Sequence, residues 1–342
     1  MALAALRELG GAEADAWFEA LPRPQRLCSL SPAFVRADVH RAPGLRCIHV
    51  GYQAQGHRWL HSFHLREVPG HGWAAASAYG YGGPLSTSAD ATFIAGAWAA
   101  YTEWARANGV LGEFCRFHPE AGHETFFGGE VRANRLTISV DLTVAPVEAQ
   151  FNTLARRKLR RAQGVPVRWS SALADWKAFG PFYRRAMAAM GAHERYHFGD
   201  PYFAALAQVP GARLCICGVD GAWCSAGVYL FQQRCPADQG PGGTLEYHLG
   251  ASSAEGHETG TAYRIQHAAA CEGQRLGLVN LYLGGGTTPA SDNPLLFYKR
   301  AFSRRERMFH VGNAIHDAAA FERLARARGY HPGSAPPNLL FD

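Results

Sequence analysis

The sequence predicts an α/β protein with mixed sheets, assembled from two related halves. Three observations carry that expectation. Short runs of strand character are separated by glycine turns, a longer amphipathic stretch follows them in each half, and the order of these pieces recurs. In the first half, residues 45–53 and 57–65 are strand-like and flank a turn at Gln55-Gly56. Residues 73–81 run into a glycine loop, and Thr87 and Asp90 then form a capping-box-like start. Ile94, Trp98, Tyr101, Trp104 and Ala105 repeat at helical spacing as far as Asn108-Gly109, and residues 112–118 read as a strand.

The second half repeats this order. Residues 166–170 read as a short strand and 175–190 as a helix, and 212–218 pairs with 223–232 through an Asp220-Gly221 turn. A strand at 244–251, a helix at 259–276 and a strand at 278–283 follow, ending in Gly284-Gly285-Gly286. A helix starting near Pro146, whose fixed φ suits a first turn, is expected to join the halves, which places the domains at 1–145 and 146–342. The halves share element order but no residue-level identity. Residues 232–243, rich in Pro, Gly and Gln, read as an exposed excursion.

With 342 residues, 47% of them hydrophobic, the chain can bury the cores of two domains. Lys and Arg total 34 against 28 Asp and Glu, which favours anionic partners such as phosphates, yet no module for reading DNA is present. Arg7, Glu8, Glu13, Asp15 and Glu19 break up the first 21 residues, so these lack the apolar run of a signal peptide or membrane span, and a cytoplasmic location is expected. Eight cysteines include no CxxC pair. Cys215 and Cys217 share one face of a strand, which points to buried free thiols.

The segment from His193 to His197 matches HExxH. Zinc chemistry on that pattern needs both histidines on one helical face. Gly191 before it and Gly199-Asp200-Pro201 after it mark a helix end and a loop, so no metal is expected, and His193 and Tyr196 read as loop residues.

Several islands, in order, resemble the FemABX family and its acetyltransferase-like relatives of cell-envelope and polysaccharide clusters. They are residues 79–84 (YGYGGP), 113–119 (EFCRFHP), 156–162 (RRKLRRA), 190–192 with Tyr202 and Phe203, 247–252 (YHLGAS), 283–286 (LGGG) and 297–302 (FYKRAF). The resemblance implies a tandem acetyltransferase-like (GNAT) fold, its two related halves enclosing a cleft. It also implies transfer of an aminoacyl group from charged tRNA to the amine of a peptidoglycan precursor, with neither metal nor covalent intermediate. No helical hairpin insertion of the kind some members use on tRNA is evident. Acyl-CoA-dependent transfer to an amino sugar or small amine, as in polysaccharide biosynthesis, is the alternative, and a non-catalytic binding protein of the same fold is a third.

Amide formation from an ester or thioester needs an uncharged amine held against the carbonyl and donors aimed at the developing oxyanion. Lys299 matches the family lysine, which assigns it the negative charge at the donor carbonyl; the residues alone also allow a lysine snorkelling beside Phe297 and Phe302. Gly284, Gly285 and Gly286 either bring bare backbone to a ligand or form a plain turn. Tyr247 and His248 are expected on opposite faces of their strand, Tyr247 toward the acceptor. Arg156, Arg157 and Arg160, with Lys158 and Arg161, crowd one helix face, which suits a diphosphate or tRNA backbone or is simply solvated. The resemblance places Tyr183, Arg185 and Tyr196 on the acceptor side, Arg185 as the phosphate or carboxylate fork. A pyrophosphate-cradling loop for CoA would fall on residues 252–260, which carry Glu255 and Glu258 in a degenerate pattern.

Overall fold

The computed structural model of the chain describes residues 5–219, 221–288, 290, 292–331 and 340. In chain order it begins with β1 (Ala5–Glu8), α1 (Gly11–Glu19), α2 (Pro32–Asp38), β2 (Arg46–Ala54), β3 (His57–Val68), β4 (Gly72–Ala76), β5 (Leu85–Ser86), α3 (Ala91–Ala107), β6 (Val110–Phe117) and β7 (Glu130–Asp141). It continues with α4 (Thr153–Arg161), β8 (Val167–Ser170), α5 (Leu173–Ala189), α6 (Asp200–Leu206), β9 (Ala212–Val219), β10 (Ala222–Phe231) and β11 (Thr244–Ser252). Then follow α7 (Ala254–Thr259), α8 (Thr261–Arg275), β12 (Asn280–Gly285), α9 (Pro294–Arg300), β13 (Arg305–Ile315) and α10 (Ala318–Ala327). The chain divides into two compact units, one of residues 1–134 with 309–342 and one of residues 135–308.

In the first unit, β1 to β4 form an antiparallel meander, with the β2–β3 hairpin closed by Gln55 and Gly56 at φ 53° and 82°, both in the left-handed region that a tight hairpin requires. α3 then crosses over to β6, which runs parallel to β4. Asp90 starts α3 by accepting the Phe93 amide at 2.8 Å, and Phe93, Ala97, Tyr101 and Ala105, four residues apart, bury one stripe against Trp59, Phe63 and Val110. The sheet is completed by residues 310–315 of β13, antiparallel to β6, while Phe321 and Leu324 of α10 pack on Val68, Ala74 and Leu111. Residues 310–330 and Leu340 therefore pack with the N-terminal unit, across the domain boundary expected at 145.

The second unit repeats the plan. β9, β10 and β11 form an antiparallel meander, α7 and α8 cross over, and β12 returns parallel to β11, with β7 antiparallel on its far side. The predicted β9–β10 turn includes Asp220, which lies outside the described residues. Ile265, Ala269 and Ala270 of α8 press on Cys215, Cys217, Tyr229, Leu245 and Leu281, so the two cysteines share a face as their spacing predicted. All eight cysteines are free thiols.

The predicted helix at Pro146 is a correction. Residues 147–150 form only a 3-10 turn, and α4 begins at Thr153, where the Asn152 side chain accepts the Ala155 amide at 2.9 Å. A side-chain cap satisfies an orphan amide that proline cannot help, so the helix starts at the cap. Among the described residues no helix is long and apolar enough to cross a membrane.

Candidate active site

β11 and β12 hydrogen-bond in parallel only over residues 244–246 and 280–282, although β11 continues to Ser252 and β12 to Gly285. Both strands lose register where they part. In β11 the cross-strand partners step from Tyr247 to Leu249, which leaves His248 as a bulge. In β12 they step from Tyr282 to Gly284, which bulges Leu283. Bulges bend a strand and re-aim its side chains, so the two strands open a wedge at the carboxyl end of a parallel pair. That is where open α/β sheets bind ligands.

The glycines end one wall of this wedge. Gly284 has a φ of 75°, in the left-handed region. A Cβ on Gly285 would stand 2.7 Å from the Leu136 carbonyl oxygen, and one on Gly286 would stand 2.6 Å from the Asn293 carboxamide. Conformation at Gly284 and close packing at Gly285 and Gly286 demand glycine, whether the loop meets a ligand or is a plain turn.

α9 brings the lysine to that wall. Asn293 starts the helix, its Oδ1 accepting the amides of Leu295 and Leu296 at 3.0 and 3.3 Å, and Pro294 occupies the first turn. Six residues along, Lys299 is 7% exposed, and its Nζ donates to the Gly285 carbonyl at 2.7 Å. The two features singled out separately in the sequence therefore meet, and Lys299 does not snorkel; Phe297, 63% exposed, faces outward instead. Burial pulls the Lys299 amine down to about 7, because the interior disfavours the ammonium.

Tyr247 is half-buried on the α8 side, its ring 5.3 Å from that of Tyr229, and the bare Cα of Gly250 leaves room for its hydroxyl. Burial pushes its phenol up, so it remains a neutral donor. Tyr229 and Tyr298 join it, and Tyr298 donates to the Ala262 carbonyl at 2.8 Å. His248, on the bulge, shares a 2.9 Å hydrogen bond with the Tyr202 hydroxyl.

The remaining predicted residues are distributed around the same unit. Arg156, Arg157 and Arg160 are exposed on α4 together with Arg161, and among the described residues none of the four has an ion-pair partner. Arg185 is exposed on α5 and lines a groove of about 560 Å³ with Phe182, Ala186, Trp223, Ser253 and Ala254. Its neighbour Arg184 instead binds Asp200 at 2.7 Å and the Phe198 carbonyl at 3.1 Å, which leaves Arg185 as the available fork. Tyr183 is not surface-presented. It is 3% exposed, stacked on Phe198 at 5.9 Å among Phe179 and Phe203, and that packing accounts for it without a ligand. Tyr196 is half-buried in a 3-10 turn, beneath the Arg195 guanidinium. The HExxH segment lies on that turn, with His193 Nδ1 accepting the Arg195 amide and His197 Nε2 paired to the Ala192 carbonyl, so no helical face aligns the two histidines.

Residues 252–260, where a CoA pyrophosphate loop would fall, are committed elsewhere. Ser253 caps α7 by accepting the Gly256 amide at 3.1 Å, and a Cβ on Gly256 would stand 2.0 Å from the Cys224 carbonyl oxygen. The Gly256 amide is used by the Ser253 cap, and the glycine itself serves packing. Two positional features differ in how far the sequence signals them. Asn293-Pro294 is a legible cap-plus-first-turn signal; the bulge at His248 has no signal in one strand alone, because it is a property of the pair.

No protein-family model matches the chain, and no curated protein matches it. Solved structures do. FemX is similar with a TM-score of 0.65 at 12% identity, over 89% of this chain and 96% of that one. The C-terminal domain of a putative lysylphosphatidylglycerol synthetase from Agrobacterium fabrum is similar at 0.56 and 14% identity, over 96% and 100%. A tandem GNAT protein from the clavulanic acid biosynthesis pathway is similar at 0.54 and 12%, over 92% and 99%. The chain thus has the tandem GNAT fold, the fold that its resemblance to FemABX proteins implied.

Proposed function

We propose that the protein is an acyltransferase that forms an amide, moving an aminoacyl group from aminoacyl-tRNA to an amine of a cell-envelope or peptide-type acceptor. The observation that carries this reading is the buried Lys299 amine, 2.7 Å from the Gly285 carbonyl at the end of β12, beside the point where β11 and β12 part. The amine there, protonated or neutral, can donate to a carbonyl turning anionic in the tetrahedral intermediate, the charge that amide formation must stabilise. Tyr247 supplies a neutral donor from the other strand, and neither group needs to form a covalent bond. The exposed arginines of α4 suit the phosphates of a tRNA donor, and Arg185 suits an anionic group on the acceptor. The capped, tightly packed residues 253–256 disfavour the acyl-CoA alternative.

The test is to incubate the chain with charged tRNA or with acyl-CoA and a panel of amines, and to seek new amides by mass spectrometry. An amide from charged tRNA that Lys299→Met abolishes is the expected result. An amide from the thioester alone transfers the assignment to CoA, and no amide from either donor leaves a binding protein.

A further inference from the structure

The first unit holds a buried cluster that the transferase reading does not use. Glu113 on β6 is 1% exposed. His61 of β3 meets its Oε1 through Nε2, the Tyr101 hydroxyl donates to Oε2 at 2.9 Å, and the Cys115 thiol donates to Oε1 at 3.1 Å. His316, just beyond β13 and 1% exposed, sets Nε2 3.6 Å from Oε2, where it has no hydrogen-bond partner. No Lys or Arg takes part in these contacts. The carboxylate is sealed from water among two imidazoles, a phenol and a thiol, so its charge is balanced only by a proton shared with an imidazole.

Imidazole nitrogen, carboxylate oxygen and thiol sulfur form a borderline-soft donor set of the kind that holds zinc. The ligand atoms of His61, Glu113 and Cys115 all lie within 4.8 Å of one another, and all three residues are buried. Alternation along β6 puts Glu113 and Cys115 on one face, and β3 presents His61 toward them. We propose that His61, Glu113 and Cys115 bind a zinc-class divalent cation as a structural centre, with His316 as the fourth donor. Binding sends to solvent the Cys115 thiol proton and the proton shared by His61 and Glu113. The thiolate and carboxylate then balance the dication, so the interior is left neutral. His61 and Glu113 separate by roughly 1 Å to admit the ion, since ligand atoms around tetrahedral zinc stand roughly 3.3–3.7 Å apart. His316 also lines a cavity of about 320 Å³ with Trp98, Thr102 and Gly129.

The test uses the untagged full chain, stripped with a chelator and titrated with Co²⁺. The expected result is about one equivalent bound, with the visible bands of a tetrahedral site and a near-ultraviolet thiolate charge-transfer band. Zn²⁺ should compete for the same site and raise Tm. Cys115→Ser should lose the charge-transfer band, while Cys271→Ser, which removes the exposed thiol beside His267, should keep it. His316→Gln should weaken Co²⁺ at least about tenfold. Absence of the bands in the wild-type chain, or their loss in Cys271→Ser with retention in Cys115→Ser, overturns the proposal.

Discussion

Asn293 fills the space that a side chain at Gly286 would need, its carboxamide carbon and oxygen lying 2.6 Å from where that Cβ would stand. The same oxygen caps α9, and the amide nitrogen holds Thr287 at 2.8 Å and Thr288 at 3.2 Å. One side chain thus fastens the glycine loop to the helix that carries Lys299. Asn293→Ala should cost about 1 kcal/mol of stability as a lost cap. It should also lower kcat by more than that loss of folded protein explains. Urea unfolding and steady-state kinetics on the same preparation separate the two effects.

Lys299→Met removes the amine while keeping most of the side chain's volume. Amide formation should fall about 10²–10³-fold, the usual cost of deleting one donor to an oxyanion, with circular dichroism unchanged. Full turnover in this variant removes Lys299 from the mechanism.

The buried amine also makes stability depend on pH. Its folded value is about 7, against 10.5 for an unburied lysine. Between those limits the unfolded chain binds a proton that the folded chain lacks, so stability rises with pH, by up to about 1.4 kcal/mol per unit. Below about pH 7 both states are protonated and the full cost of burying the ammonium persists. Urea unfolding at about pH 6.5, 7.5 and 8.5 should show this rise in the wild type minus Lys299→Met difference. A flat difference means that the lysine is solvated in the native protein.

An Arg156/Arg157/Arg160 triple alanine variant should keep its melting temperature, because exposed substitutions of this kind change stability by about 0.5 kcal/mol or less each. Its affinity for charged tRNA should fall, and the slope of log K against log salt should shrink by about 2 to 3, as three phosphate contacts are lost. An unchanged slope reduces the arginines to a solvated face.

Gly256→Ala should be among the costly substitutions in the second unit, since its Cβ would lie 2.0 Å from the Cys224 carbonyl oxygen, which is backbone and can yield only by moving β10. A loss of about 1–3 kcal/mol is expected by thermal unfolding, the range for an overpacked site.

Local physics made much of this legible in advance. Asp90 starts α3, the turn at Gln55-Gly56 closes β2 on β3, and the strand entering the triglycine loop is β12, each set by neighbouring residues. Lys299 and the glycines were identifiable as separate signals, but their 2.7 Å contact depends on the path of the chain through α9. Long-range pairing was hidden. Residues 310–315 could not be assigned to β6 from spacing, and Tyr183 looks the same on a helix face whether it meets solvent or Phe198. His61, Glu113, Cys115 and His316 follow no ligand spacing, so only folding shows them together.

The closing strand of the first unit follows the whole of the second unit in sequence, and this governs how the protein can be made and cut. A ribosome releasing residues 1–134 has synthesised β6 before its partner at 310–315 exists, so that edge stays unpaired until the second unit has been made as well. A fragment ending near residue 145 would retain the exposed edge permanently and tend to self-associate. A separable first half needs the strand at 310–315 supplied together with residues 1–134.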